Sequence, residues 1–152
     1  MIDRGTGWLQ APSEGWLETA ATLQMWSQIV GKVRLARAPP ENHWWHVPLY
    51  LTARGLTTSP IPDGTRAFQI DFDFIDHAVV IAASDGGRAM IPLAPMPVAD
   101  FYAELLARLK GLGVDIRIWP VPVEVADATS FPAQTRVSEY RPEIAQRLWE
   151  IL

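Results

Sequence analysis

Apolar residues recur at two periods along the chain, and the changes of period divide it into elements. Leu23, Trp26, Val30 and Val33 follow i, i+3, i+7 and i+10, one stripe of a 3.6-residue repeat, and Trp16 and Ala20 extend it backwards. Gln24, Gln28 and Lys32 lie four apart on another face, and Pro39–Pro40 cannot continue a helix. The pattern predicts a helix over residues 16–36. A period of two follows. Val47, Leu49, Leu51 and Ala53 alternate with Pro48, Tyr50, Thr52 and Arg54, a strand with Pro48 at its start or on a sheet edge. Gly55–Thr65 contains Gly55, Pro60, Pro62 and Gly64 and reads as loop. The clearest strand is Arg66–Asp76, where Phe68, Ile70, Phe72 and Phe74 alternate with Gln69, Asp71, Asp73 and Ile75. A turn at Asp76–His77 leads into a strand over His77–Ala83. Asp85-Gly86-Gly87 then closes a hairpin into Arg88–Leu93, because glycine supplies the positive φ of tight hairpin turns.

Pro92, Pro95 and Pro97 precede a second helix, 97–112, with Val98, Phe101, Tyr102, Leu105, Leu109 and Leu112 as its stripe and Gly111 and Gly113 as its stop. Val114, Ile116 and Ile118 alternate with Asp115, Arg117 and Trp119, which predicts a further strand. Residues 126–141 read as loop, and Pro142 opens a last helix over Glu143–Leu152. Residues 1–15 carry Gly5, Gly7, Pro12 and Gly15 and read as an irregular arm. Strands cluster instead of alternating with helices. The expectation is an α+β fold, a mainly antiparallel four- or five-stranded sheet with helices packed mainly on one face.

With 152 residues the chain has the length of one domain, 1–152. Its 17 carboxylates outweigh 13 Lys and Arg, and the net charge of −4 with no basic block argues against nucleic acid or an anionic membrane as a partner. The longest stretch without a charged residue, Thr19–Gly31, is too short for a membrane span. The absence of cysteine excludes disulfides, thiolate metal sites and a cysteine nucleophile, and a cytoplasmic address is the simplest expectation. Dinucleotide and phosphate loops, the Gly-x-Ser-x-Gly elbow and His-Glu-x-x-His are all missing.

Candidate chemistry gathers in three places. The segment from Glu41 to Tyr50 holds His43 and His46, two of three histidines, beside Trp44 and Trp45. Imidazoles serve as acid–base groups or metal ligands. On an extended backbone, however, His43 and His46 point to opposite faces, so no metal and no cofactor is expected. The plainer reading is a loop whose Trp rings pin helix to sheet. Asp71 and Asp73 share one strand face, and Tyr50, Arg54 and Arg117 also fall outside the core parity. Such a face is a binding floor or a solvated surface with cross-strand ion pairs. Lys32 and Arg34 lie near the end of the first helix, where cations are favoured by the helix dipole, and Lys32 follows Gly31, a residue costly inside a helix.

Three stretches together, Met25-Trp26-Ser27-Gln28-Ile29-Val30-Gly31-Lys32-Val33-Arg34-Leu35, Asn42-His43-Trp44-Trp45-His46-Val47-Pro48-Leu49-Tyr50 and Phe72-Asp73-Phe74-Ile75-Asp76-His77, closely resemble a bacterial family catalogued only as a domain of unknown function. Thr52-Ala53-Arg54-Gly55-Leu56-Thr57-Thr58 and Pro97-Val98-Ala99-Asp100-Phe101-Tyr102 extend the match. The resemblance brings no activity, substrate or cofactor. It implies longer members, whose second half opens on another helix, so that residues 142–152 would be the start of that half.

Two function classes follow. The first is an interaction or ligand-binding module, one half of a duplicated architecture. The second is a small-molecule enzyme with a polar site built from the His43–Tyr50 segment and the Asp71/Asp73 face. Lys32, Arg34, His43, His46, Tyr50, Arg54, Asp71 and Asp73 are the candidate ligand-binding residues. Ile144, Leu148 and Ile151, with Trp149 and Leu152 beside them, load the last helix heavily with apolar groups. A homodimer or a partner chain covering that helix is therefore expected.

Overall fold

A computed structural model describes residues 15–39, 42 and 48–152. The arm before Gly15, and His43 and His46 with the tryptophans between them, lie outside the described residues. Helix α1 (Trp16–Arg37) runs one residue past the expected 16–36. Trp26, Ile29, Val30 and Val33 are fully buried, so the 3.6-residue stripe is its core face. Ala38, the residue before Pro39, is already extended, as the steric demand of a following proline requires.

Strands β1 (Tyr50–Leu51), β2 (Gly55–Thr57), β3 (Ile61–Asp63), β4 (Arg66–Asp73), β5 (Ala78–Ala83) and β6 (Arg88–Pro92) form one antiparallel sheet. Its order is β1-β2-β4-β5-β6, and β3 pairs with the first half of β4 on the edge that β2 shares. The stretch expected to be loop, Gly55–Thr65, thus contains two short strands. Pro62 is accommodated because β3 pairs on one side only, and an edge strand tolerates a missing N–H. Between them, Thr58 is buried and its Oγ1 accepts the Ile70 N–H at 3.0 Å. The strand expected over Val47–Arg54 is reduced, among the described residues, to Tyr50–Leu51.

Helix α2 (Val98–Gly111) ends on a Schellman motif. Val114 N–H donates to Leu109 C=O and Gly113 N–H to Lys110 C=O, with Gly113 at φ 82° and Val114 and Leu109 both buried. The strand expected over Val114–Trp119 does not form. Val114 and Ile118 are buried and Ile116 half-buried, so the alternation reports one-sided burial without a ladder partner. A small second sheet pairs β7 (Met96–Pro97) with β8 (Val137–Ser138), inside the region expected to be loop. Helix α3 (Pro142–Glu150) starts at Pro142 and packs on α1.

The core lies between the sheet and its helices. β4 stops at Asp73, short of the expected Asp76, because residues 74–77 form the turn into β5. Phe68, Ile70 and Phe72 of β4 and Phe74 just after it meet Trp26 and Val30 of α1 and Phe101 and Leu105 of α2 in one cluster. Trp26 stacks on Phe101 at 4.9 Å between centroids, and Phe72 on Phe101 at 6.4 Å. The fold is α+β with α1 and α2 on one face of a mainly antiparallel sheet, which leaves the other face to a mixture of polar residues and a few apolar ones, Val80, Ala82 and Met90 among them.

Candidate functional site

The alternate residues of β4 build that second face. Register places Tyr50, Thr57, Asp71, Val80 and Met90 in one row across the sheet, and Gln69, Ala82 and Arg88 in the next. The tight connection between β1 and β2 folds Arg54 over this face. Its Nε donates to Asp73 at 2.7 Å and its Nη2 to Asp76 at 2.7 Å. Gly55 makes the approach sterically feasible, since a Cβ there would lie 1.9 Å from the Phe72 carbonyl oxygen. Asp73 Oδ1 also accepts the N–H groups of Ile75 and Asp76, closing the turn after β4. Burial alone would push the Asp73 carboxyl up. The Arg54 guanidinium and these two amides outweigh it and hold the group below the usual carboxylate range. Asp71 is engaged by Gln69, whose Nε2 reaches its two oxygens at 3.0 and 2.8 Å.

Arg54, Asp71, Asp73, Val80 and Arg88 line a shallow depression of about 440 Å³. Three sequence candidates, Arg54, Asp71 and Asp73, therefore converge. Arg88 joins them only through the β5–β6 register, and Asp76 through the turn, and neither carries a signal in the local pattern. The depression offers charges of both signs to a small polar ligand, with its carboxylates already held by an arginine, an amide side chain and turn N–H groups.

At the β1 end of the row, Tyr50 meets Arg34 of α1. Arg34 is buried to 6% exposure. Its guanidinium donates to the Pro48 carbonyl and to the Tyr50 hydroxyl at 3.5 Å, and it lies 4.9 Å from the centre of the Tyr50 ring. A buried cation needs acceptors, and a carbonyl, a phenol and a π face supply them here. Lys32 stands on α1 as well, where burial holds its ammonium below the usual lysine range. The third histidine, His77, is read from sequence only as a turn residue. It adopts φ 51° between β4 and β5, and its Nδ1 lies 2.9 Å from the Tyr140 hydroxyl. Burial, with the charge of Glu143 nearby, raises the Tyr140 phenol above its ordinary range. This pair ties the β4–β5 turn to the entry of α3. Among the described residues no three His, Asp or Glu side chains are grouped to hold a metal ion, and no helix is long and apolar enough to cross a membrane.

A third feature is apolar. Leu23 of α1, Leu56 of β2, Phe74, and Leu148 and Trp149 of α3 line a groove of about 260 Å³, with Gln24 and Ser27 its polar members. The terminal helix expected to dock on another chain is partly covered by its own: Ile144 and Ala145 are buried. Leu148 and Trp149 are half-buried, Ile151 is exposed, and Leu152 is 76% exposed.

No curated protein and no solved structure matches this chain. One family model does, over residues 8–152, which takes in α1, both sheets, α2 and α3. The chain belongs to that family, described as a family of unknown function (DUF5996).

Proposed function

We propose that the chain is an interaction module whose docking surface is the apolar groove between α1 and α3, and that its occupant is a second copy of the chain. One observation carries the reading: the same small region holds a hollow and the groups to fill one. Leu148, Trp149, Ile151 and Leu152 all line the groove, and the last two keep exposed side chains that a second copy's groove can accept. A two-fold contact needs such a self-complementary patch, because each copy must present both knob and hole. The hollow is bounded almost wholly by apolar groups, and little polar desolvation opposes its closure.

The enzyme reading has less support. Its proposed site joins the His43–Tyr50 segment to the Asp71/Asp73 face. The described end of that segment, Pro48 and Tyr50, is engaged by Arg34 of α1, and although the register sets Tyr50 in the row of Thr57 and Asp71, the depression beside Asp71 and Asp73 is lined without it. Size-exclusion chromatography with light scattering at tens of micromolar tests the module. The full chain is expected to run as a dimer, and Leu152→Asp combined with Ile151→Asp as a monomer with an unchanged circular dichroism spectrum. A full chain that is monomeric throughout overturns the proposal.

A further inference from the structure

The far edge of the main sheet has different properties. In the β5–β6 ladder, Leu93 N–H donates to His77 C=O and Ala83 N–H to Gly87 C=O, both at 2.8 Å. Hydrogen-bonded pairs in an antiparallel ladder alternate. With the register Val79↔Ile91 and Ile81↔Ala89, the backbones of Ala89 and Ile91 face β5. Those of Arg88 and Met90, and the carbonyl of Pro92, then face outward, where no strand pairs with them among the described residues. Such an edge is a template for another strand. Pro92 lacks an N–H, which confines pairing to a short stretch centred on Met90.

Beside this edge lies a groove of about 650 Å³ between β6 and α2. Its floor is apolar, with Ile91, Pro92 and Met96 on one side and Ala103 and Ala107 of α2 on the other. Asp100, Ala103, Glu104 and Ala107 follow i, i+3, i+4 and i+7, so one stripe of α2 borders the edge. The two alanines leave room for side chains from a neighbouring strand. The charged groups on the groove are both carboxylates. Glu104 is bridged by Arg108 at 2.7 Å, and Asp100 is exposed in the first turn of α2.

From this arrangement we infer a second docking surface: the β6 edge accepts an extended, basic peptide segment as an added strand, with alternate side chains lying in the α2 groove and a Lys or Arg reaching Asp100. Main-chain pairing to Met90 supplies the binding, and the apolar floor with its acidic rim supplies the preference. Charge complementarity names the occupant. A strand here with a carboxylate over α2 is repelled by Asp100, and one with a cation is attracted by it, Glu104 being already bridged by Arg108. The surface lies on the opposite edge of the sheet from β1 and does not depend on the α1–α3 groove.

The test uses the full chain and a fluorescein-labelled hexapeptide of alternating lysine and valine, with an alternating glutamate and valine peptide as comparison, read by anisotropy. The lysine peptide is expected to bind and to weaken as salt is raised. Met90→Pro, which deletes the central outward N–H and spares the ladder to β5, is expected to weaken binding at least tenfold, whereas Met90→Ala, which keeps that N–H, retains it. Asp100→Asn is expected to weaken binding several-fold. In two-dimensional NMR at saturating peptide, the Met90 amide is expected to exchange at least tenfold more slowly, a readout that does not need the proline variant to fold. No binding, equal binding of the glutamate peptide, or no protection of the Met90 amide overturns the inference. So does a dimer that Met90→Pro abolishes, because a second copy would then occupy the edge. A dimer lost only with the Ile151 and Leu152 substitutions bears on the α1–α3 groove instead.

Discussion

The two faces of β4 differ by one residue step in sequence and by kind of force in space. Phe68, Ile70, Phe72 and Phe74 are buried against Trp26 and Phe101, held by burial that has no direction and little dependence on pH. Gln69, Asp71 and Asp73 are held by hydrogen bonds and an ion pair with a half-exposed arginine, which have direction, depend on charge and contribute little net stability. Folding energy and candidate chemistry are thus segregated onto opposite faces of one strand. A ligand on the polar face can be exchanged without touching what keeps the domain folded.

The largest effect expected from this division is on the apolar face. Phe72→Ala should cost about 3–5 kcal/mol, the usual range for truncating a buried Phe. Asp71→Ala, one residue away, should cost less than about 1 kcal/mol, as surface changes do. Urea unfolding of the two variants measures the contrast directly, and similar losses would break it.

Gly55 belongs to both faces, and its substitution should rank second. It lies opposite Asp73 in the ladder and against the Phe72 carbonyl, where a methyl group has no space. Gly55→Ala has to move the β1–β2 connection or β4 itself. The expected loss is about 1–3 kcal/mol, typical of forcing extra volume into a packed place. Because Arg54 is displaced with it, the Arg54–Asp73 contact should be lost too, visible as a shifted Arg54 Nε resonance in NMR.

These two positions also mark what was legible beforehand. The alternation of Phe and Asp in β4 announces both faces, since a period of two can bury only one parity. The same logic fails over Val114–Trp119, where burial alternates but no strand lies alongside, because periodicity reports burial and is silent about pairing. The prolines of Gly55–Thr65 hide β2 and β3, since proline is excluded from a ladder only on its bonded side. Of the candidate site, Arg54, Asp71 and Asp73 were legible as one parity. Arg88 and Asp76 were not, because they arrive by register and by a turn. Tyr50 does share the row of Thr57 and Asp71, as its parity announces, but it stands two strands from Asp71 and is engaged by Arg34 of α1, a contact that no local pattern encodes. His43 and His46 lie outside the described residues.

A third expectation concerns acid. The Asp73 carboxyl titrates below its ordinary value in the fold, with burial opposing and Arg54 and the turn amides prevailing. A group so depressed adds stability that is fully present above its unfolded pKa, about 3.9 for an aspartate, and that is lost as pH falls through the lower folded value. Stability should therefore decline below about pH 4, and Asp73→Asn should flatten part of that decline. Asp85 is also depressed, first by the Gly87 N–H and then by Arg66, so part of the acid limb should survive in the variant. At pH 7 the Asn variant should lose less than Gly55→Ala does, because the Arg54 side chain is half-exposed and its ion pair is screened by solvent. An acid limb unchanged in Asp73→Asn would remove this carboxylate from the account.

The smallest effect should come from Arg88→Ala, and it sharpens the comparison from the polar side. Arg88 is exposed, lies on the outer face across from Ala82, and lines the depression with Arg54 and Asp71. Its removal deletes no core contact and leaves the β5–β6 ladder intact, since the ladder uses backbone groups alone. Stability should change by no more than about 0.5 kcal/mol, the usual bound for a surface position with no special role. Any binding of a small anion to the depression should weaken, because Arg88 is the arginine there that is not already bridging two carboxylates, whereas Arg54 is committed to Asp73 and Asp76. Titrating the wild-type chain and the variant with sodium acetate, followed by backbone amide shifts at Asp71 and Val80, separates the outcomes. Concentration-dependent shifts in the wild type that vanish in Arg88→Ala, at equal stability, would place a ligand-binding function on the face that contributes least to the fold. Identical titrations would leave that face as solvated surface.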